Sequence, residues 1–523
     1  MSNYDITSIK NGLNECLQLV QTSSMRHLSD VIKASIPKFD EPMQLAIIGR
    51  ISSSKSTLVN AILGKEELMP TGEMEKTFNV GWIKYGDPNQ DIVVHYKDGR
   101  PPVYLNHSEF ARLSIAEQID FSYIEKYDNS ELLRDINIID TPGLDADRGL
   151  DSQNTIDFLS NVRPDAVLML FTQSIHAETL DLVSEFNAGL ELTPLNAIGV
   201  LSKIDALWSS TNPSKKRMDN SAIQIAQKSI DQLKGNVEVR KTLFELYPIS
   251  SLLFMASRTV TDEDIEDIRT AYLNISNAYA NSEKEKGFSC FLTKDKFENE
   301  PLAGVSQLRR KAINGKMGIY GIYLIAQRLK LGLSVSLNEV KHLFRVESGA
   351  EQFMKTLYNH FGSRAKLIKI ESVYQHIQQT IHSTRALLRD NASLRLLSRI
   401  EQQVSDVFSS LVHEHVEYEL LNKIYNGQLD LGEDVKQEIL HLCGEYGNSA
   451  PERLNMPQNT PVDELKGVAL GRERFWRKQI ALEPDPEERQ WMNVVLKSSS
   501  NLRHQIETMD YQYKQAQAFL FNK

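Results

Sequence analysis

The hydrophobic pattern divides the chain in two. From Leu45 to Ile249 short apolar runs alternate with polar or helical stretches. Leu45 to Gly49, Ile92 to Tyr96, Ile136 to Ile139, Ala166 to Phe171, Ala197 to Leu201 and Phe244 to Ile249 read as strands. Thr57 to Leu63 opens a helix soon after the first of them. Apolar strands alternating with helices predict a mostly parallel sheet covered on both faces. From about residue 316 the strand signal fades. Leu397, Ile400, Val404, Val407 and Leu411 step by three and four, and Phe353, Leu357 and Phe361 form a second stripe, which predicts the packing seams of a helical bundle. Residues 446–462, rich in Pro and Asn, read as a loop, and a terminal helix starts near Glu487. At the other end Leu13, Cys16, Leu17 and Val20 recur at helical spacing. The expected organisation is one N-terminal helix over 1–38, an α/β domain over 39–315 and an all-α bundle over 316–523, with Pro37 and the polar run to Pro42 breaking the first helix.

Composition narrows the class. A chain of 523 residues exceeds one ordinary core, and 41% hydrophobic with 24% charged residues is the balance of a soluble globular protein. The net charge of −10 argues against a broad grip on phosphate backbones, so no nucleic-acid partner is expected. Cys16, Cys290 and Cys443 are widely spaced, fit no disulfide or metal framework, and point to a reducing compartment. The polar N-terminus lacks a signal pattern, and no stretch approaches the ~20 apolar residues of a membrane-spanning helix. A cytoplasmic protein is expected.

Residues 49–57 read Gly-Arg-Ile-Ser-Ser-Ser-Lys-Ser-Thr, a phosphate-binding loop with Ser54 where the pattern G-x-x-x-x-G-K-[ST] has glycine. The loop follows a strand and opens a helix, the context in which backbone N–H groups cradle phosphate. Gly49, Ser52, Ser53, Ser54, Lys55, Ser56 and Thr57 are the candidate phosphate contacts, with Lys55 on the β- and γ-phosphates and Ser56 on Mg²⁺. Asp140-Thr141-Pro142-Gly143 follows the apolar strand Ile136 to Ile139. There Asp140 would hold Mg²⁺ through water and the Gly143 amide would approach the γ-phosphate. Ser202-Lys203-Ile204-Asp205 ends another strand and resembles the guanine-reading [NT]-K-x-D motif. Asp205 would accept from the guanine N1 and amine, and the Lys203 stem would cover the base. Adenine lacks those donors, so such a site rejects ATP. Pro248-Ile249-Ser250-Ser251 stands where GTPases place a Ser-Ala loop near the base, a weaker signal. Thr77, with Thr71 as its competitor, is the candidate switch threonine that completes the Mg²⁺ shell.

These motifs, in this order, give the chain its resemblance to bacterial dynamin-like proteins. The resemblance rests on the phosphate loop with Leu-Val-Asn-Ala-Ile-Leu-Gly at 58–64, Met-Pro-Thr-Gly followed by Thr77, Asp-Thr-Pro-Gly-Leu-Asp at 140–145, Leu-Ser-Lys-Ile-Asp at 201–205, and Glu347-Ser348-Gly349 through Ala365. It implies a GTPase head on an elongated helical stalk, with the N-terminal helix joining a helical neck. It also implies hydrolysis of GTP to GDP in head-to-head dimers, with Ser52, Lys55 and Thr77 as catalytic positions and Ser56, Thr77 and Asp140 around Mg²⁺. Ser52 matches the family serine that helps hold a monovalent cation, whereas Ile51 replaces a glutamine that positions water. Ser54 implies slower hydrolysis or a remodelled loop. Membrane remodelling is the usual task of the family, here peripheral on the inner face of the cell membrane and with a co-encoded dynamin-like partner. Gly318 to Ala326 is the best candidate for a lipid-inserting segment, but it is short and reads as a buried helix beside the GTPase domain. The alternative function is a GTP-dependent switch on a soluble protein assembly.

Overall fold

The computed structural model describes all residues except 1–5, 21–24, 51–52, 66–67, 70–79, 114–117, 119, 143–161, 173–193, 211–219, 244, 280–286, 410–412, 426–428, 430, 448 and 522–523. The chain forms two compact units, Gln44–Lys355 and a second built from Met1–Met43 with Thr356–Lys523.

The first unit is built on a nine-stranded sheet. Strands β1 (Met43–Gly49), β2 (Val80–Tyr85), β3 (Ile92–Tyr96), β4 (Val103–Leu105), β5 (Phe121–Asp128), β6 (Ile136–Asp140), β7 (Ala166–Thr172), β8 (Ala197–Ser202) and β9 (Leu246–Ile249) stand in the order β4-β3-β5-β2-β6-β1-β7-β8-β9. β1, β7, β8 and β9 run parallel, and β1 and β8 are buried at every position. Strands buried on both faces are continuous apolar runs, which is why the sequence reveals them. The outer half mixes directions. β2 is parallel to β5 and antiparallel to β6, while β3 is antiparallel to both β4 and β5. β5 alternates buried and half-buried residues because it packs on one face only.

The sheet's core does not stop where the strands do. The expected division at 315/316 falls inside the helix Gln307–Lys330, whose Ile313, Met317 and Ile319 to Ala326 are buried in one cluster with Ile48, Val167 and Leu201 of the sheet. Val340 and Phe344 of the helix Leu337–Glu347 join the same cluster. Loss of strand signal near residue 316 therefore marks the end of the sheet and not of its core. Among the described residues no helix is long and apolar enough to cross a membrane.

In the second unit the single helix expected over 1–38 is two, α1 (Ile6–Leu19) and α2 (Arg26–Lys38), and Pro37 lies within the last turn of α2 instead of ending it. Ile9, Leu13 and Cys16 of α1 and Leu28 and Ile32 of α2 share a core with Ile370, Val373 and Ile377 of the helix Ser363–Leu387 and with Leu397, Ile400 and Val404 of the helix Asn391–Ser409. Each such side chain stabilises the bundle by about 1.5–3 kcal/mol. α1 approaches closely at Gly12, where a Cβ would lie 2.3 Å from Val407 Cγ2. Leu411 lies outside the described residues. The long helices Val462–Leu482 and Pro486–Phe521 complete the described chain.

Candidate functional site

The candidate phosphate loop leaves the end of β1 at Gly49 and enters α3 (Lys55–Leu63). Gly49 has no room for a side chain, since a Cβ would lie 2.7 Å from the Leu170 carbonyl of β7 and 2.9 Å from Ser53 Oγ. Ser54 precedes α3 with φ 65° and ψ 31°, the left-handed conformation that glycine adopts freely. The serine thus keeps a glycine-type backbone. Ser53 is buried, and its hydroxyl has no hydrogen-bond partner among the described residues. Ser56 and Thr57 are half-buried in the first turn of α3. Arg258 serves the other end of the helix, donating to the Ile62 carbonyl, where a cation also complements the helix dipole.

Lys55 is buried and donates to the carbonyls of Gly49 and Arg50, each at 3.0 Å. Burial pulls its ammonium down to about 8, and Asp140 opposes that shift. Asp140 closes β6 and is fully buried. Desolvation pushes its carboxyl up to about 6, against a hydrogen bond from Ser56 and the charges of Lys55 and Lys126. Ser56 Oγ donates to Asp140 Oδ2 at 2.7 Å, while Oδ1 has no partner among the described residues. A hydroxyl beside a buried carboxylate with a vacant oxygen is a hard-oxygen pair that fits Mg²⁺. Such ions take few protein ligands beside substrate phosphates, consistent with the lack of a larger acidic or histidine cluster among the described residues. Thr141, next in the chain, donates to the Ile47 carbonyl at 2.8 Å and ties the end of β6 to β1.

Two strands along, Ser202 closes β8, and its hydroxyl donates to the Phe171 carbonyl of β7 at 2.9 Å. The departure from Asn or Thr in the base motif is thus accommodated by a bond to the neighbouring strand. Lys203 has φ 57°, and Asp205 follows it in the first turn of the helix Ile204–Ser210. Desolvation raises the Asp205 carboxyl above its ordinary range, with the Ser250 hydroxyl and Lys203 pulling the other way. Ser250 follows β9, is fully buried, and accepts from Leu253 N at 3.1 Å to cap the helix Ser251–Thr259. The structure therefore brings Lys55, Ser56 and Asp140 together as one cluster and Asp205 and Ser250 as another. Ser52, Thr71, Thr77 and Gly143 lie outside the described residues, as does Ile51.

Sequence reasoning missed three contributors. Asn60 of α3 is fully buried and holds the Met69 backbone at both its N–H and its carbonyl, each at 2.8 Å. Lys126 of β5 is buried and donates to the Leu68 carbonyl at 2.8 Å. Gly318 breaks the helix Gln307–Lys330 with φ 67° and ψ 170°, and a Cβ there would lie 3.3 Å from Leu252 and 3.7 Å from Asp205 Oδ2. A polar residue inside an apolar helix stretch was the available signal for Asn60. For Lys126 it was a lysine two positions from Ile124, on the inward face of its strand.

A phosphate loop at the end of a buried parallel strand, with a carboxylate closing a nearby strand of the same sheet, defines the class of P-loop nucleoside triphosphatases. Residues 45–204 match the dynamin family. The isoniazid-induced protein IniC of Mycobacterium tuberculosis is 24% identical over 84% of this chain and 85% of its own length. Dynamin-like protein 2 of Campylobacter jejuni is 29% identical over 37% of this chain and 30% of that protein. Among solved structures, a chain of an oligomerised bacterial dynamin pair is 15% identical, covering 99% of this chain and 94% of that one with a TM-score of 0.33. The chain is a GTPase with a dynamin-type domain over residues 45–204, and it is similar to bacterial dynamin-like proteins.

Proposed function

We propose that this GTPase binds GTP with Mg²⁺, hydrolyses it in dimers of its GTPase heads, and passes the nucleotide state to its helical unit in membrane remodelling alongside a second dynamin-like chain. The observation that carries the nucleotide part is the cluster of Lys55, Ser56 and Asp140, with one unpartnered carboxylate oxygen beside a hydroxyl. Lys55 would exchange its two loop carbonyls for the β- and γ-phosphates, and Ser53 would direct its vacant hydroxyl to the same anion. Ser56 and Asp140 would hold the metal, which when bound neutralises charge developing on the phosphate oxygens. Asp205, supported by Ser250, would read guanine. Roles for Ser52, with its monovalent cation, and for Thr77 and Gly143 belong to this proposal through the family pattern alone.

Support for transmission is the connectivity of the chain. Both ends of the Gln44–Lys355 unit continue into the same bundle, α1 and α2 before it and the helix Ser363–Leu387 after it. The domains are accordingly proposed as a GTPase head inserted into a helical neck and stalk. Residues 319–326 are buried beside the sheet, so contact with lipid would fall to other surfaces. The membrane part rests on the resemblance to bacterial dynamin-like proteins, and the location proposed with it is the inner face of the cell membrane.

The test has two arms. Turnover per head should rise with protein concentration, and constant specific activity would remove head dimerisation. The protein should co-sediment with anionic liposomes in the presence of a GTP analogue, with or without a co-encoded partner. Absence from the pellet under every condition would leave a GTP-dependent switch on a soluble assembly as the function.

A further inference from the structure

The buried ammonium of Lys126 has no part in the phosphate, metal or base roles above. Strand registers place it on the face of the sheet that carries Asp140: Gly81 of β2 pairs with Asp140 and with Ile124, and Ile83 pairs with Lys126. It is 8% exposed, its described hydrogen bond goes to the Leu68 carbonyl, and no ion pair joins it to a described carboxylate. A charge held out of water without an ion pair is costly to keep. Its field falls on Asp140, and that of Asp140 on it.

The surroundings fix the cation in place. Asn60 clamps the Met69 backbone next to Leu68, and Met69 packs over Gly81 of β2, where a Cβ would meet its Cε at 2.3 Å. Asn60 lies one turn beyond Ser56 on α3, on the same side of the helix. Lys126 is therefore set relative to the Ser56–Asp140 pair through both α3 and the sheet.

We propose that Lys126 is a built-in counter-cation for Asp140 that weakens retention of Mg²⁺, and thereby speeds release of metal and GDP without a separate exchange partner. The inference rests on the GTPase reading of the site. Without metal, the lysine balances the Asp140 charge. With metal, the same fixed charge repels a divalent ion twice as strongly as a monovalent one. Lys126 is a positioning residue, acting on the metal through the field at Asp140 and touching neither nucleotide nor metal.

The experiment follows release of a fluorescent GDP, chased by excess unlabelled GDP, across a Mg²⁺ titration. Wild type is compared with Lys126→Gln, which keeps a donor for the Leu68 carbonyl and removes the charge, and with Lys126→Arg, which keeps the charge. The Mg²⁺ concentration giving half-maximal slowing of release should fall roughly fivefold or more in Lys126→Gln and stay within about twofold in Lys126→Arg. An unchanged or higher Mg²⁺ requirement in Lys126→Gln, with fluorescent GDP still bound, overturns the proposal. Failure of the wild type to bind fluorescent GDP would instead overturn the nucleotide reading beneath it. Lys126→Met carries the same expectation and covers the case in which glutamine prevents folding.

Discussion

Ser54 holds a left-handed backbone that costs an L-residue roughly 1–2 kcal/mol and costs glycine almost nothing. The strain sits in the proposed phosphate loop, where presenting N–H groups to an anion would keep this geometry at the expense of stability. Ser54→Gly is expected to stabilise the nucleotide-free protein by up to about 1 kcal/mol in urea unfolding, the gain being limited by the added freedom of the unfolded chain. Ser54→Ala keeps the strain and should change stability by less than about 0.5 kcal/mol. Turnover separates the two ideas of how the serine acts. A higher kcat in Ser54→Gly alone is the expected result and assigns the effect to the backbone. Equal gains in both variants would assign it to the hydroxymethyl group. At this scale much was legible in the sequence. Gly49, Lys55, Ser56 and Asp140 stand in an order that motif spacing reveals, because each must come from a strand end or the loop after it. Ser202 and Lys126 were not legible in role. One bonds to a neighbouring strand and the other to a residue far away in the chain, and only the sheet registers bring those partners near.

Gly318 raises the same issue for whole elements. Gly318 to Ala326 reads as one short buried helix in sequence, yet it is the second part of the longer helix Gln307–Lys330, which is broken at Gly318 beside Asp205 and Leu252. The residues after the break are buried with the sheet, so the element belongs to the GTPase core and bends where it passes the candidate base site. Gly318→Ala combines an unfavourable φ with a 3.3 Å approach to Leu252. It should destabilise the protein by about 1–3 kcal/mol and weaken GTP binding more than the conservative change Gly315→Ala, which meets nothing within 4 Å. Equal nucleotide affinity in the two variants would dissociate the break from the base site. The strands show where sequence periodicity loses power. Central strands buried on both faces are apolar throughout and were evident, whereas β2, β4 and β5 were not. β5 reads Phe-Ser-Tyr-Ile-Glu-Lys-Tyr-Asp, and its charged and aromatic residues alternate between a packed and a half-open face. Such a strand has no apolar run to find. α1 and α2 merged in the reading for the opposite reason, since both carry the apolar spacing of one bundle face.

For the molecule as a whole, the central strands and the helices through Leu337–Glu347 share one large core inside Gln44–Lys355, with a smaller cluster of Ile92, Val94, Phe121 and Ile124 at β3 and β5. Residues 44–355 expressed alone should therefore fold and bind GTP within about threefold of the full chain's affinity. Aggregation, or a broad melting transition lacking cooperativity, would show that the bundle is needed to complete the head. The bundle itself is assembled from the two extremes of the sequence. Leu13 and Cys16 of α1 meet residues such as Leu397 and Ile400, with the entire GTPase unit between them in the chain. This arrangement sets an order of events during synthesis. At about 5–20 residues per second, the apolar faces of α1 and α2 wait tens of seconds on the ribosome before the helices that cover them are made. The intervening unit, with its own core, can fold in that interval. α1 and α2, translated ahead of the GTPase unit, are thus among the last helices to reach their native partners, and they are the segments that a chaperone would find exposed.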